Sequence, residues 1–404
     1  MRRYFPLLLA LALFVAGLIF FLLPKDTPTP PAPTPPPTLP TGPALSSLAE
    51  TPDWSALETI DNQLSSTEFM SDLVGIFALP NSWQSSIKVE DESVVVRHHH
   101  GPDGGFTRLP FPEQPQEPNS LPPLDQMHIA IDPGHIGGDY AVLEQRNFAP
   151  FGDDPDQMPV REGELALATA LHLKPLLEEM GAKVTLVRET NEPVTQSRPE
   201  DFLPDFPDRL MAEKIFYRTA EIRARGELVN EVIQPDLVLC LHYNAEAWND
   251  EENPWAERNH FHVLLHGAYM AEELALDDQR FEMMRHLLNR TTRRALPLAQ
   301  TISDVFLRDT GLVPFQYTPA APAIQVDATR PIFARNLLAN RIYEAPTIFL
   351  EPYVMNHREV YDRVQLGDYE GFREIDGVKR RSLVREYAQA VANGFTEFYT
   401  NPPH

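Results

Sequence analysis

A chain of 404 residues is long for one compact domain, and its composition, 43% apolar and 23% charged, is that of a globular rather than a disordered protein. Its 58 acidic against 34 basic residues leave a formal charge of −24, which repels nucleic-acid phosphates and excludes nucleic-acid binding as a class. The single cysteine, Cys240, excludes an internal disulfide and a cysteine-rich zinc knot, so any metal must be held by histidines and carboxylates.

The chain begins with a membrane signal. Arg2 and Arg3 precede an unbroken apolar run from Leu7 to Leu23, which with Tyr4, Phe5 and Pro6 approaches the ~20 residues that span a bilayer. The basic flank is expected to stay cytoplasmic, so residues 1–24 read as an uncleaved signal anchor. A cleaved signal peptide is the alternative, although Pro24, Lys25 and Asp26 stand where a small-residue cleavage site would lie. Either way the remainder is exported, to the periplasm of a bacterial envelope. Ten of the 20 residues from Pro24 to Pro43 are proline. Residues 25–43 therefore read as a polyproline II linker, reaching roughly 60 Å at ~3.1 Å per residue, rather than as an SH3-type ligand.

Residues 44–112 read as a small α+β module. Ser65 and Glu68 form a capping box ahead of Phe69, Leu73, Ile76 and Phe77, which share a helical face. Ile87–Val89 and Val94–Val96 flank a turn and predict a hairpin. The run His98, His99, His100 alternates faces in a strand and reads as a solvated strand end, not a metal site. Residues 113–124 form a second proline-rich linker.

From 125 to 404 strands and helices alternate. A short buried strand over His128–Ile131 is followed by a helix whose Ala166, Ala170, Leu173, Leu177 and Met180 line one face, with Pro175 as a bend and Gly181 as its stop. Lys183–Arg188 completes a βαβ unit, and further strands are expected over Asp236–Leu241, His260–Leu265 and Thr347–Leu350. The fold class is α/β: a mostly parallel, twisted sheet with helices on both faces, preceded by the membrane segment, linker and small module.

Chemistry-bearing residues recur at one place in this alternation. His135 follows the first strand, Glu162 opens the first helix, His242 follows DLVLCL and Glu351 follows TIFL. Parallel strands deliver their C-terminal ends to one edge, so the four can converge. Two imidazoles and a carboxylate around Zn²⁺, with a second carboxylate as proton acceptor, make a hydrolytic site. The competing reading is that each histidine is a hydrogen-bonded structural group.

Met127–Asp139 (MHIAIDPGHIGGD) resembles the opening motif of the zinc-dependent N-acetylmuramoyl-L-alanine amidases of the Amidase_3 type. The resemblance continues through Arg161–Thr190, Arg225, Asn230, Asp236–Glu246, Ala334–Leu338 and Ala345–Asn356, about 260 residues with four motifs in order. It implies zinc ligands at His135, Glu162 and His242, a catalytic base at Glu351, and hydrolysis of the amide between N-acetylmuramic acid and L-alanine in peptidoglycan. Glu164 is the rival for the ligand role, while Glu144 and Glu246 read as surface carboxylates. Ile136, Cys240, Tyr243 and the segment PYVMN depart from the family pattern without removing a ligand or the base. His260, His262 and His266 share a strand, and a second metal there is disfavoured.

Arg198, Arg218, Arg223 and Arg225 are candidates either for holding stem-peptide carboxylates or for local packing, and Arg225 and Asn244 are taken as the substrate-binding pair. A different class of function, an exported non-catalytic wall-binding or regulatory protein, would not require the complete ligand set with its base. Finally, Phe281, Met284, Leu287 and Leu288 share a face of an additional helix within residues 268–294. The resemblance implies an autoinhibitory lid there, with Glu272 or Glu273 reaching the metal until a regulatory protein partner withdraws it; the alternative is a helix packed permanently beside the sheet.

Overall fold

The computed structural model describes residues 51–99, 104–116, 120–152, 154, 156–247 and 253–400. The expected anchor over 1–24 and linker over 25–43 lie outside them. No helix among the described residues is long and apolar enough to cross a membrane.

The first elements are α1 (Ser66–Asp72), closed at its start by the Ser65/Glu68 capping box, and an antiparallel sheet of β1 (Ile87–Val89), β2 (Ser93–Arg97) and β3 (Phe106–Pro110). The helix and the β1–β2 hairpin follow from the local signals in the sequence, and β3 adds a strand that the sequence reading did not include. The main sheet then begins with β4 (His128–Pro133). A two-stranded ribbon of β5 (Asn147–Phe148) and β6 (Val160–Arg161) leads into α2 (Glu162–Glu179). After β7 (Lys183–Leu186) a helical stretch includes α3 (Glu221–Glu227). Next come β8 (Leu237–Leu241), β9 (His260–His266), α4 (Asp277–Leu288) and α5 (Thr291–Thr310). Short strands β10 (Val313–Pro314), β11 (Ile324–Gln325) and β12 (Ile332–Arg335) precede β13 (Thr347–Pro352), and α6 (Leu383–Thr400) follows it.

The strand order is β11-β12-β9-β13-β8-β4-β7 with β10 beside β9; β13 pairs β9 antiparallel, β11 pairs β12 antiparallel, and the other pairings are parallel. Alternate residues of the strands enter different cores. Ile129, Ile131, Leu239 and Leu350 pack under α2, α5 and α6. Ala130, Val238, Cys240, Leu264 and Phe349 meet Val229, Ile233 and Tyr343 on the other face. Helices therefore cover both faces, the reason the strands read as continuous apolar runs.

The segment expected as a separate module shares a core with the rest of the chain. Trp54, Leu57, Phe69, Leu73 and Ile76 pack in one cluster with Tyr269, Met283, Met284, Leu287 and Leu288, and these residues fall within a single compact unit. Arg280 of α4, fully buried, donates to the carbonyls of Arg97, His98 and Leu274, while Arg293 pairs with Asp72 at 2.5 Å. The apolar face of α4 is thus occupied by the N-terminal segment. The lid reading does not fit this arrangement: the Glu273 carboxylate accepts the Met270 N–H at 2.8 Å, and neither Glu272 nor Glu273 lines the cleft described below. Spacing within one helix cannot tell which surface its apolar stripe meets.

Two neutral histidines lie between these cores. His266 and His286 have ring centroids 4.2 Å apart and are both buried. Burial holds His266 down at about 3 and holds His286 well below its usual value. Unfolding would let both take up protons below about pH 6.5. The contribution of these two groups to stability is therefore complete above pH 6.5 and falls as pH drops toward 3, each group removing up to about 1.4 kcal/mol per pH unit. Urea unfolding at pH 7 and pH 5 is expected to show a lower midpoint at pH 5, with part of that difference lost in His266→Gln; equal midpoints would contradict it.

Candidate metal centre and active site

Three strand ends meet at one edge of the sheet. The Gly134 N–H donates to Leu241 O at 2.8 Å and the His242 N–H to Leu350 O at 3.0 Å, which sets Gly134, His242 and Glu351 side by side just beyond the paired residues. A Cβ at Gly134 would stand 2.3 Å from the His242 ring, so only glycine fits. His135 follows with φ of 56°, a left-handed conformation that costs a non-glycine residue on the order of 1 kcal/mol.

Two buried arginines hold that turn. Arg225 of α3 donates Nε to Glu221 (2.8 Å), Nη1 to Asp132 and Pro133 O (2.8 Å each) and Nη2 to His135 O (2.7 Å). Arg188 donates to the carbonyls of Pro133 (3.1 Å), Gly134 (3.1 Å) and Gly163 (2.5 Å). Asp132 is completed by the Tyr343 hydroxyl at 2.5 Å.

Glu162, the first residue of α2 and 2% exposed, reaches both histidines. Its Oε2 is 3.2 Å from His135 Nε2, and its Oε1 is 2.9 Å from His242 Nδ1 and accepts the Tyr243 N–H at 3.2 Å. One ligand atom from each of His135, Glu162 and His242 lies within 4.8 Å of the others. Among the described residues no second group of this kind exists. His260 pairs with Glu246 at 3.4 Å, and His266 belongs to the N-terminal side. Glu164, the rival ligand, is engaged by Arg161 at 3.0 Å instead.

Glu144 is a correction to the surface reading. It is 5% exposed, with Oε1 3.5 Å from His135 Nδ1 and Oε2 accepting the Ile136 N–H at 2.9 Å. Arg146 was also missed, its Nε lying 3.1 Å from Glu162. Neither stands in a periodic element, so nothing in the local pattern marked them.

Burial opposes charge on His135, yet Glu162 and Glu144 outweigh it and raise the imidazole to about 9. Burial would raise Glu162, but His135 and His242 draw it far below the carboxylate range. Burial lowers His242, whose ring stacks on Phe349 at 4.1 Å. Glu351 is pushed up to about 8, first by burial and then by the charge on Glu162. All four line one cleft of about 740 Å³, whose far wall carries His262, Phe315, Tyr317 and Arg335.

A family model described as N-acetylmuramoyl-L-alanine amidase, Amidase_3, matches residues 129–371, more than half of the chain. The chain belongs to this amidase family. Solved structures similar to it include the N-acetylmuramoyl-L-alanine amidase AmiC2 of Nostoc punctiforme, 14% identical over 68% of this chain and 98% of that one, TM-score 0.38. Apo Ami1 from Mycobacterium abscessus is 16% identical over 68% and 98%, TM-score 0.38. The Clostridioides difficile CwlD amidase, in complex with the GerS lipoprotein, is 14% identical over 68% and 99%, TM-score 0.39. No curated protein matches.

Within this family member the expected substrate-binding pair separates. Asn244 lines the cleft, its side-chain oxygen accepting the Ala245 N–H at 2.7 Å. Arg225 is 4% exposed and its guanidinium is engaged at Nε, Nη1 and Nη2 by protein acceptors, so it holds the turn at His135 rather than binding substrate. Arg225→Met leaves Asp132 and Glu221 buried without their partner and is expected to cost about 3–5 kcal/mol of stability by denaturant unfolding. Stability within about 0.5 kcal/mol of wild type would restore the substrate-contact reading.

Proposed function

We propose that this chain is a zinc metallohydrolase, cleaving the amide between N-acetylmuramic acid and L-alanine of peptidoglycan in cell-wall remodelling. The observation that carries the reading is the convergence of His135, Glu162 and His242 beside Glu351 in one cleft of a chain from this family.

The donor set suits the metal. Two imidazole nitrogens and a carboxylate are the three-ligand complement of catalytic zinc, leaving one position open. Glu144 at His135 Nδ1 fixes the ring so that Nε2 faces Glu162 and the shared site, the usual support of a metal-binding imidazole. Bound zinc supplies Lewis-acid polarisation of the scissile carbonyl and a nucleophilic water near neutral pH. The chain's own groups do the rest. Glu351, held near neutrality by its surroundings, takes the water's proton and returns it to the leaving amine. Arg225 and Arg188 keep His135 in its turn, and His242 is braced by Phe349.

Digestion of purified peptidoglycan, read by fragment mass, is expected to release stem peptides, and a chelator to stop it. His135→Ala should lose zinc. Glu351→Gln should keep zinc and lose turnover by about 10² or more, the range for a lost general base. Full zinc retention in the first variant, or activity within a few-fold of wild type in the second, would refute the assignment; no stem-peptide release by the zinc-loaded wild type would favour a non-catalytic wall-binding protein.

The proposal extends to organisation and location. Residues 1–24 anchor the chain in the cytoplasmic membrane, 25–43 space it, 44–112 form an ancillary segment that shares a core with the body, 113–124 a connection, and 125–404 the catalytic body facing the periplasm, where a regulatory protein partner can reach it. The basic flank and apolar run of the first 23 residues support this. Protease added to spheroplasts is expected to remove the catalytic body from the membrane fraction. Complete protection, or a mature N-terminus beyond Leu23, would overturn the anchor.

A further inference from the structure

The cleft extends past the ligand triad along the face of the sheet, and its charges do not balance evenly. Arg146 is engaged by Glu162 and Arg225 by Asp132 and Glu221. Two further arginines line the cleft, Arg218 and Arg335, and among the described residues neither has a carboxylate partner. Arg218 is exposed and rests on its neighbour Tyr217, where solvation alone accounts for its charge. Arg335 is half-buried at the end of β12, in a protein of formal charge −24 that has no shortage of acids to offer it. Part of its hydration is lost, and among the described residues no carboxylate stands within ion-pair distance to replace it, Glu351 acting on it only from farther away.

Its surroundings hold it in place. The guanidinium carbon lies 5.5 Å from the Tyr317 ring centroid, and Nη1 donates to the Tyr317 hydroxyl at 3.2 Å. That hydroxyl lies 3.3 Å from Nε2 of His262, which burial keeps neutral and able to accept its proton. His262 in turn stands opposite Glu351 across the antiparallel β9–β13 pair. A chain of contacts therefore fixes Arg335 with respect to the expected base. The strand order puts the triad on the β8 and β4 side of Glu351 and Arg335 on the β12 side, two strands away or roughly 10 Å. An extended peptide covers ~3.3–3.6 Å per residue, so that offset reaches the residues following the scissile amide, not the amide itself.

We propose that Arg335, oriented by Tyr317, is a carboxylate-binding, specificity-determining residue that recognises the free α-carboxylate of the second stem-peptide residue. This rests on the amidase reading above and adds the substrate feature selected. In wall polymers that second residue is a γ-linked glutamate whose α-group is either a carboxylate or a carboxamide, and a guanidinium prefers the former through charge-assisted, bidentate hydrogen bonds.

The test uses zinc-loaded full-length protein and two synthetic disaccharide tripeptides that differ only in carrying the α-carboxylate or the α-carboxamide. Wild type is expected to favour the carboxylate by about tenfold or more in kcat/KM, expressed mainly in KM. Arg335→Gln should bring that ratio close to one by raising KM for the acid substrate more than for the amide substrate, with unchanged zinc content. Tyr317→Phe should lower the ratio partway. Equal use of the two substrates by wild type overturns the clamp and leaves the amidase reading intact. A folded Arg335→Gln protein that keeps the wild-type ratio does the same. Should Arg335→Gln fail to fold, the wild-type ratio and Tyr317→Phe decide. Cleavage of neither substrate by wild type removes the amidase reading, and the clamp with it.

Discussion

The buried guanidinium of Arg225 is the interaction on which the site depends. A charge removed from water is tolerated only where partners replace its hydration, and here Asp132, Glu221 and the carbonyls of Pro133 and His135 do so. Asp132 is the last residue but one of β4 and Glu221 lies one turn before Arg225 on α3, so the network binds a strand end to a helix on one face of the sheet. The carbonyls it engages belong to the turn that carries the first metal-ligand candidate. Arg188 serves the same turn, and together they offset the left-handed backbone of His135. The pair is weak evidence for extra stability, since an apolar substitute of the same volume could be as stable. What it specifies is position.

Position matters because the other participants come from independent elements. Glu162 is set by the start of α2, His242 and Glu351 by adjacent parallel strands in register, and Glu144 by the turn that follows Asp139. Each has one task fixed by environment. Burial beside a second carboxylate raises the proton affinity of Glu351, whereas Glu162, equally enclosed but flanked by two imidazoles, stays ionised. Two carboxyl groups of one cleft are thereby separated in character, which is what the proposed roles of ligand and base call for.

The parts legible in the sequence are those fixed within a few residues. The capping box at Ser65, the hairpin over 87–96, the strand at His128 and the helix opening at Glu162 all carry local signals, and the four site residues sit at their ends. Glu144 read as a surface carboxylate and Arg146 went unmarked because their roles depend on which distant groups they meet. The exchange between substrate contact and structural support at Arg225 has the same origin: an arginine on a helix reads alike whether its acceptors are solvent, substrate or buried carbonyls. The apolar stripe of α4 announced a partner surface without saying that Trp54, Phe69 and Leu73 would supply it.

Arg225 also sets an order of events. It lies 93 residues after the Asp132 it neutralises, and the last of the four site residues, Glu351, comes later still. A chain emerging N-terminus first presents His135 and Glu162 long before the residue that shapes their turn exists beside them. Metal captured at that stage would meet a pliable pair of side chains and could be lost or exchanged. On the zinc reading proposed above, tight loading would be a late step that reports a completed sheet, coupling metal supply to the maturation of the fold in time as well as in energy.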